Sequence, residues 1–431
     1  MKITPIRVLV GVAVAFGMLG LASNPVGLTG ASAPAAVPKL GFSVPTDLPP
    51  TANDDSAAAF AWRSFVAVNW PARARSRGVP DTTKVIGQAG DLVWNTWKSP
   101  DEIFYADGRR PPDWNTNGAG LPATCTTAGA TAGAYWLRRT SKVPGDVDNQ
   151  ALRDAKQVVG GTLTDQHGNL VRYEVRLNRT IFDNILAKQY YNVEGQNKAT
   201  SISFPTAVME VKASWRELTA ADSLVKPRFV RRDAWIYTPA GNRAPPTCVK
   251  SEVGLVGLHV TQKTPSRPQW TWATFEQVDN VPPFNAPVPP GRTLPYSFNN
   301  PVCPVTQCVP DSTTEKNGVP TRTPTQVTRL VNISAAAQRA NPQWQAALAS
   351  AVPGSPFQYY QLVGIQYPAN PRQKPSGNPT PGLNANTTME TYIQPSSSCI
   401  SCHYVAQRAS GTISSDYSFM LAEAHSIKVT K

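Results

Sequence analysis

The sequence predicts an α+β fold: a loop-rich, mainly antiparallel sheet domain with peripheral helices and a short helical segment near the C-terminus. Three observations predict it. Runs of alternating β-branched and aromatic residues recur through the middle of the chain, a few stretches carry a helical period, and 41 Pro and 29 Gly in 431 residues leave much of the backbone to loops. The same proline content argues against long helical bundles.

Residues 1–36 begin with Lys2 and Arg7, continue through an apolar run from Val8 to Ala22 and end in small residues, the order of a secretory signal peptide. The run is short for a membrane span and lacks a basic stop-transfer flank, so an uncleaved anchor is the lesser reading, and no membrane span is expected after cleavage. Val37 to Thr51 is Pro-rich and reads as an extended arm. Asp54 then offers an N-cap to a helix reaching Val68 and stopped by Pro71, with Ala58, Trp62, Phe65 and Val66 on its apolar face. Trp94 and Trp97, set beside turn residues, read as core packing.

Gln157 to Asn178 reads as a hairpin turning at Asp165-Gln166-His167-Gly168-Asn169, which makes His167 an exposed turn residue rather than a ligand. Thr180 to Tyr191 predicts a helix with Ile181, Phe182, Ile185 and Leu186 inward. Strands are expected at Ala207 to Ser214, Phe229 to Tyr237, Gly254 to Gln262 and Thr271 to Phe275. Val281 to Thr325 is a long excursion dense in Pro, Asn, Gly and Thr. Ser334 to Ser350 is an Ala-rich helix, Phe357 to Tyr367 an aromatic strand or turn, and Pro368 to Thr388 a loop-rich boundary. The domain organisation is therefore a signal peptide at 1–36, a β-rich globular domain at 37–385, and a segment at 386–431 packed on it.

That last segment carries Cys399-Ile400-Ser401-Cys402-His403, the Cys-x-x-Cys-His spacing that attaches a c-type haem. On a helix these three residues stand at i, i+3 and i+4, so both thiols and the imidazole share one face. The thiols of Cys399 and Cys402 would add to the two haem vinyl groups, and His403 would supply an axial nitrogen to the iron. The expectation is one covalent haem c. The competing readings are a disulfide beside a His and half of a zinc site, but zinc takes four ligands, and no second Cys-x-x-Cys or His-x-x-His exists.

Four Cys remain, Cys125, Cys248, Cys303 and Cys308, an even number that in an oxidising compartment points to two disulfides. Cys303 and Cys308 could close a small loop and leave Cys125 with Cys248; sequence leaves the crossed pairings open. Loss of Lys2 and Arg7 with the leader lowers the formal charge from +13 to +11. The basic residues are scattered in short groups such as Arg73, Arg75 and Arg77, with no dense arm, so nucleic acid is not the expected partner of an exported chain. A basic surface instead suits an acidic redox partner protein or an anionic envelope surface.

Candidates for the sixth iron ligand are His259, Met209 and Met420, followed by His425 and Met389. His259 lies in the apolar run Gly254 to Val260, where a buried imidazole requires a partner: the iron, a carbonyl, Glu276 or Asp279. Met209 reads first as a core-filling side chain. Met420 and His425 lie in a helix expected from Ser414 or Ser415, whose Tyr417, Phe419 and Leu421 would close over the haem edge.

Three stretches together resemble bacterial exported proteins described as cytochrome c family. They are Ala61-Trp62-Arg63-Ser64-Phe65-Val66-Ala67-Val68-Asn69-Trp70-Pro71, Gly257-Leu258-His259 through Trp270 to Asn280, and the terminal Cys-x-x-Cys-His followed by Asp416-Tyr417-Ser418-Phe419. The resemblance implies covalent haem and export, periplasmic or secreted, and no particular reaction. The layout departs from small class I cytochromes, since only 28 residues follow His403. The pocket has to come from the preceding domain.

Three functions are compatible with these features. The first is periplasmic electron transfer by a six-coordinate haem, which makes the chain a carrier rather than an enzyme. The second is a five-coordinate haem enzyme or small-ligand sensor with peroxidase-like chemistry, using His259 or Arg267 as a distal polar group. The third is a binding or structural protein that haem only stabilises. No Gly-x-Ser-x-Gly elbow, Walker loop or His-Glu-x-x-His points to a hydrolase or nucleotide enzyme.

Overall fold

A helix with an unusually aromatic face anchors one side of the central sheet. In the computed structural model, which describes residues 37–118, 120–140, 162–240, 245–285, 293–312, 315–316, 319–372 and 379–428, that helix is α1 (Asp54–Val68). Asn53, one residue before the expected cap, accepts from the Ser56 amide at 2.9 Å, and Asp54 and Asp55 occupy the first turn. Trp62 and Phe65 are fully buried and meet Phe275 with ring centroids 5.1 and 4.4 Å apart. Trp62 also stacks on Trp344, 5.8 Å away and almost parallel.

The remaining elements are α2 (Ala123–Thr127), β1 (Trp136–Leu137), β2 (Arg172–Leu177), α3 (Arg179–Ala187), α4 (Val193–Asn197), β3 (Met209–Glu217), β4 (Arg231–Thr238), β5 (Thr247–Thr264), β6 (Arg267–Gln277), β7 (Glu315–Lys316), β8 (Val319–Pro320), α5 (Ala335–Ala351), β9 (Tyr360–Pro368), β10 (Pro379–Thr380) and α6 (Cys399–His403). Eight strands form one sheet, antiparallel except for the β1–β4 pair. Its spine is β5, whose first half pairs with β4 and whose second half lies between β3 and β6; β6 continues to β9 and β10. The expected α+β class with a mainly antiparallel sheet is the class observed. Val37–Lys431 is one compact unit, so residues 386–431 are part of the globular body. Residues 1–36, the expected signal peptide, and residues 157–161 of the expected hairpin lie outside the described residues.

Strand alternation gives this sheet two unlike faces. Val211, Ala213, Leu258, Val260, Ala273, Phe275 and Ile365 point one way and join α1 and α5 in the main hydrophobic cluster. Paired residues on the other face are largely polar: Lys212, His259, Thr274 and Gly364 form one row across β3, β5, β6 and β9, and Glu210, Thr261, Trp272 and Gln366 form the next. The segment from Asn384 to Ser418 covers that polar face. Gly257 permits the close approach, because a Cβ there would lie 2.4 Å from Thr388 Oγ1 and 2.6 Å from Ser214 Oγ.

The expectations around the Asp165 turn hold where the residues are described, and one near the C-terminus is corrected. Among the described residues the hairpin closes at the antiparallel Thr164–Leu170 bridge, and Asp165 Oδ1 accepts from the amides of His167 and Asn169 at 2.9 and 2.8 Å. His167 is an exposed turn residue, as expected, with its Nδ1 3.2 Å from Nη2 of Arg216, which is drawn inward between Asp165 and Asp222. No helix starts at Ser414 or Ser415; Asp416 and Tyr417 take φ of 53° and 71°, which breaks a helix, and only a 3-10 turn follows at Phe419–Glu423.

Candidate haem-attachment site

The five residues of the motif form α6, with Ser398 as its N-cap. Ile400 is fully buried and its amide donates to Gln366 Oε1 at 2.9 Å, which fixes the helix to the sheet. Cys399, Cys402 and His403 lie along the half-buried flank between Ile400 and exposed Ser401. Cys125 is bonded to Cys248 and Cys303 to Cys308, the uncrossed pairing, so four cysteines are consumed elsewhere and the motif thiols form no disulfide. The disulfide reading of Cys399 and Cys402 is thereby set aside. Among the described residues no three His, Cys, Asp or Glu side chains converge as a self-sufficient metal site.

His403 is held on three sides. Its ring centroid lies 4.2 Å from that of Trp272 and 5.0 Å from that of Phe419, and its Nδ1 is 2.8 Å from the Tyr417 carbonyl oxygen. A carbonyl only accepts, so Nδ1 carries the hydrogen. Burial, with a smaller contribution from the nearby Lys212 ammonium, pushes the imidazole pKa down to about 3. The neutral ring therefore leaves Nε2 with a lone pair, the form a metal-binding imidazole takes, and the carbonyl on Nδ1 is the usual outer partner of such a ligand. Holding Tyr417 in the left-handed region costs on the order of 1–3 kcal/mol. Lys263 Nζ and the Phe204 amide, 2.6 and 2.7 Å from Asp416 Oδ2, clamp the preceding residue.

His259 lies on the sheet face beneath this segment, half-buried in the row with Lys212 and Thr274. Its Nε2 is 3.3 Å from Glu390 Oε2, close enough for an ion pair if the ring is charged, but not aligned as a hydrogen bond and without another partner. The anticipated alternatives Glu276 and Asp279 are engaged elsewhere, with Arg329 and the Thr387 amide, and with Arg228. Tyr417 OH and Trp270 Nε1 are also buried without hydrogen-bond partners, and the Trp270 ring lies 6.0 Å from Trp272. These orphaned polar atoms around His403 fit a pocket that holds a cofactor with polar edges.

The other named candidates are placed differently. Met209 is on the apolar face of β3, 3 % exposed, opposite to the His259 row. Met420 is buried next to Phe419 in the 3-10 turn, beside the site. Met389 belongs to a second apolar cluster, and His425 is exposed. Arg267 is buried with its guanidinium on the carbonyls of Pro368 and Pro49.

Two acids escaped the sequence reading. Glu390 fixes the Asn386 amide at 2.9 Å and faces His259. Glu210 accepts from Ser418 Oγ, and burial raises its pKa to about 7. Only strand pairing reveals Glu210; Glu390, nine residues before Cys399, gives no signal until the fold brings it over β5. Comparison with protein-family models, with curated proteins and with solved structures finds no match. The likeness to exported cytochrome c family proteins thus rests on the three sequence stretches themselves.

Proposed function

We propose that the protein is an exported c-type haem protein that carries electrons, with one haem bound covalently through Cys399 and Cys402 and ligated by His403. The observation that supports it most is the fixed tautomer of His403: Nδ1–H is committed to Tyr417, and Nε2 is unprotonated on the helix flank that carries both motif cysteines. When bound, the haem supplies a one-electron couple. The chain's own residues orient His403 and wall its ring with Trp272 and Phe419, and His259, on the covered sheet face, would be the candidate second ligand of the haem iron. Two disulfides fit an oxidising compartment such as the periplasm. Among the described residues no helix is long and apolar enough to cross a membrane. A net basic chain suits an acidic redox partner.

A second reading is favoured by one observation, the proximity of His259 and Glu390. Such a pair beside an open iron position would form a distal acid–base group for a small ligand such as peroxide. Spectra of the exported protein made with haem-maturation machinery separate the readings. Electron transfer predicts a low-spin reduced spectrum that carbon monoxide leaves unchanged, and loss of that state in His259→Ala. A carbon monoxide shift in the wild type favours the open site. A denatured chain whose mass lacks covalent haem, or haem retained in Cys399→Ser/Cys402→Ser, sinks the whole reading.

A further inference from the structure

A polar cleft of about 630 Å³ opens between the loop that carries Arg73, Arg75 and Arg77 and the edge formed by β1, β2 and β4. Its size is that of a small-molecule site. Eight cationic side chains and five carboxylates line it among the described residues. The carboxylates are already engaged. Glu102 takes Arg77 at 3.0 Å, Glu174 takes Arg176 at 2.7 Å, Asp101 takes Arg138 at 2.6 Å, and Asp81 accepts from its own neighbour Thr83. Asp91, 68 % exposed, is 3.6 Å from Arg232.

Donors are left over. Arg73 and Arg75 stand exposed at the rim with no ion pair among the described residues. Arg232 lies flat over the Tyr135 ring, its guanidinium carbon 3.4 Å from the centroid, and its Nε and Nη1 have no hydrogen-bond partner. Arg138 Nε and Asn95 Nδ2, on the same walls, are likewise unmatched. A wall on which eight cationic side chains outnumber five carboxylates is complementary to a ligand rich in anionic oxygens, which the planar fork of Arg binds in pairs.

We infer that this cleft binds a small organic or inorganic oxyanion carrying at least two negative groups. Carboxylate and phosphate share the required chemistry, and the test distinguishes them. The cleft is independent of the haem reading: Arg73, Arg75 and Arg232 touch nothing in the His403 site.

The test is calorimetric titration of the mature exported protein with citrate, with pyrophosphate and with acetate. Saturable one-to-one binding of at least one polyanion, about ten-fold or more tighter than acetate and weakening as salt rises, is the expected result. Preference for citrate assigns carboxylates and preference for pyrophosphate assigns phosphates. Arg73→Ala/Arg75→Asn, at exposed positions where Asn tolerates the left-handed φ of 60° at residue 75, should weaken binding about ten-fold with an unchanged thermal midpoint. Arg232→Gln should do the same, while Arg63→Ala on exposed α1 surface should not. Absence of saturable binding to both polyanions overturns the inference, as does equal weakening by Arg63→Ala, which would reduce the effect to net charge.

Discussion

His403 Nδ1 lies 2.8 Å from the carbonyl oxygen of Tyr417, and this contact sets which nitrogen of the ring can act. In the protein without haem, the imidazole should stay neutral, with its hydrogen on Nδ1, from pH 8 down to about pH 4, because burial holds its pKa near 3. Nitrogen-15 NMR of selectively labelled histidine reads this directly. A ring that titrates near pH 6.5, or that carries its hydrogen on Nε2, would contradict the assignment.

The carbonyl is aimed by its neighbour. Asp416→Ala removes an acceptor for Lys263 and for the Phe204 amide and leaves a buried ammonium with the Ser203 hydroxyl but no counter-charge. Unfolding in urea should show a loss of about 3 kcal/mol. Asp416→Asn retains an acceptor and tolerates the left-handed backbone, so its loss should be about half as large.

Glu210 provides the pH dependence. Its folded pKa of about 7 exceeds the unfolded value of 4.5, so the folded state holds the extra proton between them. Its contribution is fully favourable below pH 4.5 and is lost as pH rises through 7. Glu210→Gln should therefore match the wild type near pH 4 and become the more stable chain by about 3 kcal/mol at pH 8. Paired unfolding curves at the two pH values measure it; a constant difference would mean that Glu210 does not titrate there.

Asn341 ties three elements together. Its Oδ1 accepts from Trp62 Nε1 at 3.1 Å and from the Leu362 amide at 3.0 Å, and its Nδ2 donates to the Leu362 carbonyl at 3.0 Å. Asn341→Ala strands three buried polar groups and should cost about 3 kcal/mol. Trp62→Phe, which keeps most of the packing, should cost less, and equal losses would show that packing and not hydrogen bonding dominates.

Much of the fold was legible because burial leaves periodic marks. Trp62, Phe65 and Val66 announced α1, and the strands around Met209, Trp235, Leu258 and Trp272 stand where β-rich runs placed them. The short helix that carries Cys399, Cys402 and His403 was legible because the spacing of the three is local. The partner of His259 was not, since it comes from a segment 131 positions away and depends on which face of β5 that segment covers. Arg73, Arg75 and Arg77 looked like scattered surface charge until the loop folded them against Arg138, Arg176 and Arg232.

The layer over the sheet is joined largely by polar side chains: Asn386 to Thr274, Thr387 to Glu276, Thr388 to Ser214, Ser398 to Gln366 and Ser418 to Glu210. Lifting it away would uncover a wettable surface rather than an oily one. A chain caught with this flap open would stay dispersed in water and show only a small heat-capacity signal. It would expose Cys399 and Cys402 while the aromatic core beneath α1 remained shut.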